Sequence, residues 1–178
     1  MAKVKSVRGR VWVLSSPDGE LFENIDTDMI FHNSYLAITD INEMGQYALD
    51  NLEGWEDFSK KVQPGDIVIA GGNFGCGSSR QQAVDCFVSL GVQAVIAESF
   101  GAIYFRNGIN SGFPLVKCPA LDKNKVKHLS EIELNFETGE IKEVDSGDVI
   151  SKAVPFSIVQ RSIIEAGSLF EYGKVALS

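Results

Sequence analysis

The sequence predicts an α/β fold with a partly parallel sheet flanked by helices, and three observations support this prediction. An apolar run at 67–70 leads into a glycine-dense loop and then into an amphipathic segment that ends near Gly91. A second apolar run, 92–97, is again followed by helical spacing. This strand–helix–strand–helix order is typical of parallel strands joined by right-handed crossovers. Residues 132–136 and 141–144 alternate on either side of a turn, which predicts an antiparallel hairpin.

The other strands are predicted from runs rich in β-branched and aromatic residues. Residues 4–14 alternate and contain Trp12, and a turn with proline and glycine follows at 15–19. A second turn, at 63–66, introduces the apolar run 67–70. The predicted strands are 4–14, 67–70, 92–97, 112–116, 132–136 and 141–144.

The helices are predicted from apolar residues at helical spacing and from residues that begin or end a helix. Residues 41–58 show mixed spacing, which predicts one helix or two short ones broken near Gly54. We predict three further helices, from Ser78 or Ser79 to about Leu90, from Ser99 to Gly108, and over 156–166 before Gly167.

Composition limits the possible function classes. The chain has 178 residues, of which 44% are apolar, and we expect a single domain, 1–178. The formal net charge is −8 with no basic cluster, so nucleic acid and anionic membrane surfaces are poor partners. No apolar run approaches the roughly 20 residues of a membrane span, and the N-terminal segment lacks the apolar region of a signal peptide. We therefore expect a cytoplasmic protein.

The three cysteines, Cys76, Cys86 and Cys118, form no C-x-x-C pair. Their odd number argues against a disulfide framework and favours a reducing compartment. Their spacing matches no iron–sulfur motif, so the chain is not expected to bind such a cluster alone. Cys76 lies in the glycine loop, where a small residue that fits is favoured over a catalytic thiol because no neighbouring base is visible.

The loop at 71–80 is the strongest candidate for a functional site. Its four glycines remove side chains, so the backbone can adopt positive φ angles and approach a ligand closely. Ser78 and Ser79 stand where a helix N-cap is expected. A helix N-terminus offers unpaired N–H groups and a partial positive charge, and Arg80 adds a guanidinium. The loop therefore predicts an anion-binding site.

Other interpretations of this loop are a nucleotide-binding loop, a hydrolase nucleophile elbow and a simple turn. A phosphate loop needs lysine where Ser78 stands, and a dinucleotide fingerprint needs glycine where Arg80 stands. The nucleophile elbow G-x-S-x-G does not fit either, and only His32 and His128 are available as partner bases. A simple strand-to-helix turn, capped by Ser78 with Arg80 in solvent, remains open.

Four stretches carry a resemblance to a known family. They are residues 73–80 (NFGCGSSR), 97–115 (AESFGAIYFRNGINSGFPL), 24–30 (NIDTDMI) and the pair Tyr35-Leu36. These stretches follow one another along the chain in the family's order, and they resemble the small subunit of the isopropylmalate dehydratase and homoaconitase family. The resemblance implies the β/β/α swivelling domain of the aconitase superfamily, here as a separate chain.

The resemblance also implies a reaction and its residues. A hydroxyl moves between adjacent carbons through an alkene, and Ser78 is the base that removes the proton. Ser79 and Arg80 bind a substrate carboxylate and help to stabilise the serine alkoxide. Asp28 is implied as a supporting acidic group that orients or tunes the serine, whereas Asp26 is favoured as a residue that holds the loop.

A partner is implied as well. The departing hydroxyl is taken by a [4Fe-4S] cluster acting as a Lewis acid, and this chain lacks the ligands for it. The cluster is therefore expected in a large subunit, with a heterodimer or its multiple as the working unit. The substrate is expected to be a small dicarboxylate.

The resemblance assigns substrate selection to Tyr35, Leu36, Ala37 and Ile38. Family members that act on tricarboxylates are expected to carry arginine where Ala37 stands, so an alkyl-substituted malate such as isopropylmalate is favoured. Homoaconitate and 2,3-dimethylmalate remain alternatives, as does a role for Ile38 in the core. Two departures from the family pattern, Phe31 for proline and Gln81 for glutamate, leave the substrate open.

A function without catalysis and the role of two helix residues also remain open. The chain could be an anion-binding regulatory module with the same fold and no chemistry. Arg106 and Asn107 are predicted near the end of a helix, where satisfying backbone carbonyls is favoured over contact with substrate.

Overall fold

The structure, a computed structural model, describes residues 4–176. Residues 1–3 and 177–178 lie outside the described residues. The two ends of the predicted domain 1–178, including the start of the N-terminal segment, therefore lie outside them as well. Seven strands form one mixed sheet in the order β4-β3-β2-β1-β5-β6-β7. The strands are β1 (Ser6–Val13), β2 (Ile67–Ala70), β3 (Ala94–Ala97), β4 (Leu115–Lys117), β5 (Glu131–Asn135), β6 (Glu140–Glu143) and β7 (Val149–Lys152).

The sheet has a parallel half and an antiparallel half that share β1. β1 pairs in parallel with β2, where Val11 is opposite Ile67, and antiparallel with β5, where Ser6 is opposite Asn135. β2 and β3 are buried throughout, as continuous apolar runs in covered parallel sheets require. The predicted parallel strands and the hairpin of β5 and β6 are confirmed.

Seven helices flank the sheet in the described part of the chain. They are α1 (Thr27–Ile30), α2 (Ile41–Met44), α3 (Phe58–Lys61), α4 (Gln82–Ser89), α5 (Ala102–Asn110), α6 (Ile158–Ala166) and α7 (Leu169–Ala176). Short 3₁₀ turns lie at Asn33–Tyr35 and Gly45–Tyr47. Within residues 4–176, none of these helices has both the length and the apolar character needed to cross a bilayer.

The predicted helix boundaries around the glycine loop are wrong. α4 begins at Gln82, so Ser78 and Ser79 belong to the irregular loop before it and do not cap the helix. α5 begins at Ala102, three residues after Ser99. Gly108 lies inside α5 and does not end it. A Cβ at this position would come within 2.3 Å of Leu115 Cδ1 on β4. Glycine at 108 therefore lets the helix lie close to the sheet.

The other predicted helical segments are confirmed, but their helices are shorter than predicted. The segment 41–58 contains α2 and a 3₁₀ turn, and α3 begins at its last residue. α6 begins with a capping box between Ser157 and Gln160 and ends at Gly167, whose φ is +88°. β7 and α7 were not predicted from the sequence.

Candidate active site

The glycine loop lies at the carboxyl end of β2 and is fixed to the segment that contains α1. Gly75 N–H donates to the carbonyl of Ile25 (2.7 Å), and the carbonyl of Cys76 accepts from Thr27 N–H (2.9 Å). Gly75 has φ +73°, and a Cβ at this position would lie 2.2 Å from Cγ of Tyr104 in α5. Glycine at 75 is therefore required both by the backbone conformation and by the close approach of the ring.

Ser78 lies on the surface and is exposed. Directly beneath it is Thr27, which is only 2% exposed. The Thr27 hydroxyl donates to the backbone carbonyl of Ser78 (2.9 Å), and the two side-chain oxygens are 3.5 Å apart. A buried threonine thus fixes the backbone of an accessible serine.

Arg80 and Asp28 form an ion pair beside this serine. Arg80 Nη1 lies 2.6 Å from Asp28 Oδ1 and also donates to the carbonyl of Phe31 (3.0 Å). The hydrogen bond from Arg80 is the main reason why the pKa of Asp28 lies below its usual value, and the N–H of Asn33 adds to the effect. Among the described contacts, Asp28 is paired with Arg80 and not with Ser78, so it fixes the guanidinium.

Asp26 holds the start of α1. Its carboxylate accepts from the backbone N–H groups of Asp28 (2.9 Å) and Met29 (2.8 Å). Asp26 is the N-cap of α1, which agrees with the prediction that it holds the local backbone.

Ser79 is contacted from the other side by α5. Nδ2 of Asn107 lies 3.2 Å from Oγ of Ser79. Asn107 lies in the second turn of the helix and its side chain bonds to the loop, so the predicted role in capping backbone carbonyls is wrong. Arg106 is exposed.

The predicted substrate loop follows α1. Tyr35 lies in a 3₁₀ turn, and its ring stacks on that of Tyr47 with centroids 4.0 Å apart. Leu36 and Ala37 are exposed, whereas Ile38 is half-buried and packs against the core. The Leu36 carbonyl accepts from Gln82 Nε2 (3.4 Å), which links this loop to α4. The apolar side chains offered to a ligand are therefore those of Leu36 and Ala37.

The cysteines do not form a cluster site. Cys86 and Cys118 are buried, and burial raises the pKa of the Cys118 thiol to about 11. Burial also raises the pKa of Cys76, and the neighbouring Asp26 adds to this effect. Among residues 4–176, no three His, Cys, Asp or Glu side chains are grouped to hold a metal ion. These residues do not fit a [4Fe-4S] cluster.

Comparison with known proteins identifies the family. Residues 20–120 match the aconitase C-terminal domain family. The isopropylmalate/citramalate isomerase small subunit of Methanocaldococcus jannaschii is 42% identical over 168 residues, which is 94% of this chain and 94% of that protein. The chain belongs to the family of 3-isopropylmalate dehydratase small subunits.

Other members of the family agree with this assignment. The 3-isopropylmalate dehydratase small subunit of Aquifex aeolicus is 40% identical over 172 residues, 96% of each chain. The crystal structure of 3-isopropylmalate dehydratase (leuD) from Methanocaldococcus jannaschii superimposes with a TM-score of 0.82 at 34% identity, covering 97% of this chain and 95% of that one. The family and the fold predicted from the sequence are thus confirmed.

The contacts of two residues of the site were not predicted from the sequence. Thr27 lies inside the stretch 24–30 that carried the resemblance, but a buried hydroxyl cannot be told from an ordinary threonine without the fold. Asn107 lies inside 97–115, and its contact with Ser79 depends on how α5 is rotated against the loop.

Proposed function

We propose that this chain is the small subunit of a hydro-lyase that isomerises a substituted malate by dehydration and rehydration. The observation that carries the proposal is the accessible Ser78, held by buried Thr27 and flanked by the Arg80–Asp28 pair. The family supplies the reaction class, because its members are named 3-isopropylmalate dehydratase small subunits.

Ser78 acts as the general base in this proposal. Its oxygen takes the proton from the carbon next to a carboxylate, and it returns a proton to carbon in the reverse direction. A serine alkoxide is costly in water, and a fixed guanidinium at Arg80 lowers that cost by favouring the charged form. Asp28 keeps the guanidinium in place, which gives it a supporting role.

Ser79 and Arg80 bind the substrate carboxylate. A guanidinium and a hydroxyl together offer the charge-assisted hydrogen bonds that a carboxylate accepts most strongly. Both residues lie within the same short loop as the base, so the carboxylate is bound next to the carbon that is deprotonated.

The working enzyme includes a large subunit. Ser78 and Ser79 are exposed, and their loop needs a second surface to exclude water from the reaction. The resemblance implies that the large subunit carries the [4Fe-4S] cluster, which the described residues of this chain do not fit. We propose a heterodimer or its multiple in the cytoplasm.

The substrate is an alkyl-substituted malate. Leu36 and Ala37 offer apolar, exposed side chains, and no cation stands at position 37 to pair with a third carboxylate. 2-Isopropylmalate is the first candidate. Citramalate is a second, because the relative from Methanocaldococcus jannaschii is named for both activities. Homocitrate is disfavoured because no cation at position 37 is present to pair with its third carboxylate. 2,3-Dimethylmalate, which carries only small alkyl groups, is a further candidate.

The test is co-expression with a candidate large subunit, followed by assays on 2-isopropylmalate, citramalate, 2,3-dimethylmalate and homocitrate. We expect the highest kcat/KM with an alkyl malate and little turnover of homocitrate. A matched variant, Ala37→Arg, should lower kcat/KM for isopropylmalate at least tenfold, a loss of about 1.4 kcal/mol. A complex that forms and turns over none of the four would instead support the non-catalytic anion-binding module.

A further inference from the structure

We propose that Asn107 is a positioning residue that keeps the Ser79 hydroxyl available as a hydrogen-bond donor to the substrate carboxylate. This inference rests on the proposed function, in which Ser79 binds that carboxylate. It starts from the contact of 3.2 Å between Asn107 Nδ2 and Ser79 Oγ, which joins α5 to the loop after β2.

The backbone of Asn107 is fixed by a second set of polar contacts. The Ser111 hydroxyl donates to the carbonyl of Asn107 (2.9 Å) and accepts from Gln81 Nε2 (2.8 Å). Gln81 directly precedes α4 and also donates to Asp85 (2.9 Å). Two side-chain hydrogen bonds therefore join the loop to α5 and its C-cap residue, one through Ser79 and one through Gln81.

Packing of the residues next to Asn107 in α5 sets the rotation of the helix. Tyr104 is 2% exposed and donates through its hydroxyl to the carbonyl of Ala83 in α4 (3.0 Å). Gly108 lies against Leu115 without room for a Cβ, and Ile109 is buried. Tyr104, Gly108 and Ile109 are held in the core, and with this rotation of α5 the side chain of Asn107 contacts Ser79.

The direction of the hydrogen bond matters for Ser79. A hydroxyl has one proton to donate and two lone pairs that accept. When Asn107 donates to the oxygen, the proton of Ser79 stays free for a carboxylate, and the donated bond polarises it further. If the amide carbonyl faced Ser79 instead, it would accept that proton, and Ser79 would have none to offer.

Two variants of Asn107 separate these alternatives in the complex with the large subunit. Asn107→Ala removes the donor, and we expect KM for the substituted malate to rise about two- to twelvefold, the range for one hydrogen bond, with kcat within twofold. Asn107→Asp has the same shape, but its carboxylate can only accept hydrogen bonds. It would therefore accept the hydrogen bond that Ser79 should donate to the substrate, and it would add a negative charge. We expect its KM to rise by at least a further tenfold.

A double-mutant cycle with Ser79→Ala distinguishes positioning from a structural role. In the Ser79→Ala background, Asn107→Ala should leave KM unchanged, because the hydroxyl that it orients is already absent. An equal rise in KM in both backgrounds would overturn the proposal, and so would equal values for Asn107→Ala and Asn107→Asp.

Controls address folding and the proposed function. Asn110→Ala removes an exposed asparagine from the same helix and should change neither kcat nor KM. All variants should form the complex and melt close to the wild type; a KM change confined to variants that fail to do so contradicts positioning. If the wild-type complex turns over no substituted malate, the proposed function fails and this inference fails with it. If the wild type is active but the cycle is additive, only the inference fails.

Discussion

The two halves of the sheet differ in what their connections carry. In the parallel half, the connections from β1 to β2, from β2 to β3 and from β3 to β4 contain every candidate residue of the site. In the antiparallel half, β5 and β6 are joined by a tight turn at 136–139, and alternate residues of β5 face solvent. The parallel half positions the chemistry, and the antiparallel half supplies core and support.

Strand direction explains this division. Antiparallel neighbours can be joined by short turns, whereas parallel neighbours need a crossover that returns to the starting edge of the sheet. The crossovers provide room for α1, α4 and α5, and the chain leaves each parallel strand at the same edge. Asp28 and Asn107 come from two other crossovers and contact the loop after β2 there, Asp28 through Arg80 and Asn107 through Ser79.

The largest expected effect is on the base in the parallel half. Ser78→Ala should lower kcat of the complex about 10²–10⁴-fold, the usual contribution of a general base. The side chain is exposed, so the melting temperature and complex formation should not change. Steady-state kinetics together with a thermal melt check both points, and activity close to that of the wild type would disprove the assignment of the base.

The opposite result is expected in the antiparallel half. Leu134 in β5 is fully buried, and Leu134→Ala should reduce the free energy of unfolding by about 2–5 kcal/mol. Its kcat, corrected for the folded fraction, should stay within twofold of the wild type. Urea unfolding and kinetics on the same preparation give the two numbers. A large loss of kcat with intact stability would mean that the halves are not functionally distinct.

A smaller effect is expected at Asp28, which acts through Arg80. Asp28→Asn removes the charge that holds the guanidinium, and we expect kcat/KM to fall about tenfold, the effect of losing about 1.4 kcal/mol of interaction. Because the pKa of Asp28 is lowered, the carboxylate is ionised at every pH above its ordinary value of about 3.9. The wild-type pH–rate profile should therefore show no step from Asp28 between pH 6 and 8. A step in that range that vanishes in Asp28→Asn would contradict this expectation.

The smallest effect concerns pH and stability, away from the site. His128 precedes β5, and its Nδ1 accepts from Val13 N–H (3.1 Å). Desolvation, followed by the charge of Arg10, lowers the pKa of His128 in the folded state. The unfolded chain, with a pKa of about 6.5, then binds more protons as the pH falls below that value, so acid favours unfolding.

The measurement is a pair of thermal melts. The melting temperature should fall slightly between pH 7.5 and pH 5.5. His128→Asn keeps an acceptor for Val13 but does not titrate, so its fall should be smaller. Identical pH dependence in both proteins would show that another group is responsible.

The sequence predicted the parallel half well because each of its signals is local. A continuous apolar run marks a strand buried on both faces, and the glycines of the loop after β2 mark a close backbone approach. These signals, together with the resemblance, were enough for the fold, the family and the position of the candidate loop. They require no knowledge of which distant segments touch.

The errors come from contacts between distant segments. Ser78 and Ser79 look like helix caps, but Thr27 and Asp28, about 50 residues earlier, bind the loop and α4 begins only at Gln82. Gly108 looks like a helix end until Leu115 is seen to pack against it. The role of Asn107 could not be predicted for the same reason.

The shared strand β1 has a consequence for how the chain loses its structure. β1 carries hydrogen bonds to β2 on one edge and to β5 on the other. Separation of either neighbour would leave backbone amides of β1 without partners in the middle of the sheet. The backbone amides of β1 should therefore exchange with deuterium only through complete unfolding, and both sides of the sheet should melt in one cooperative step.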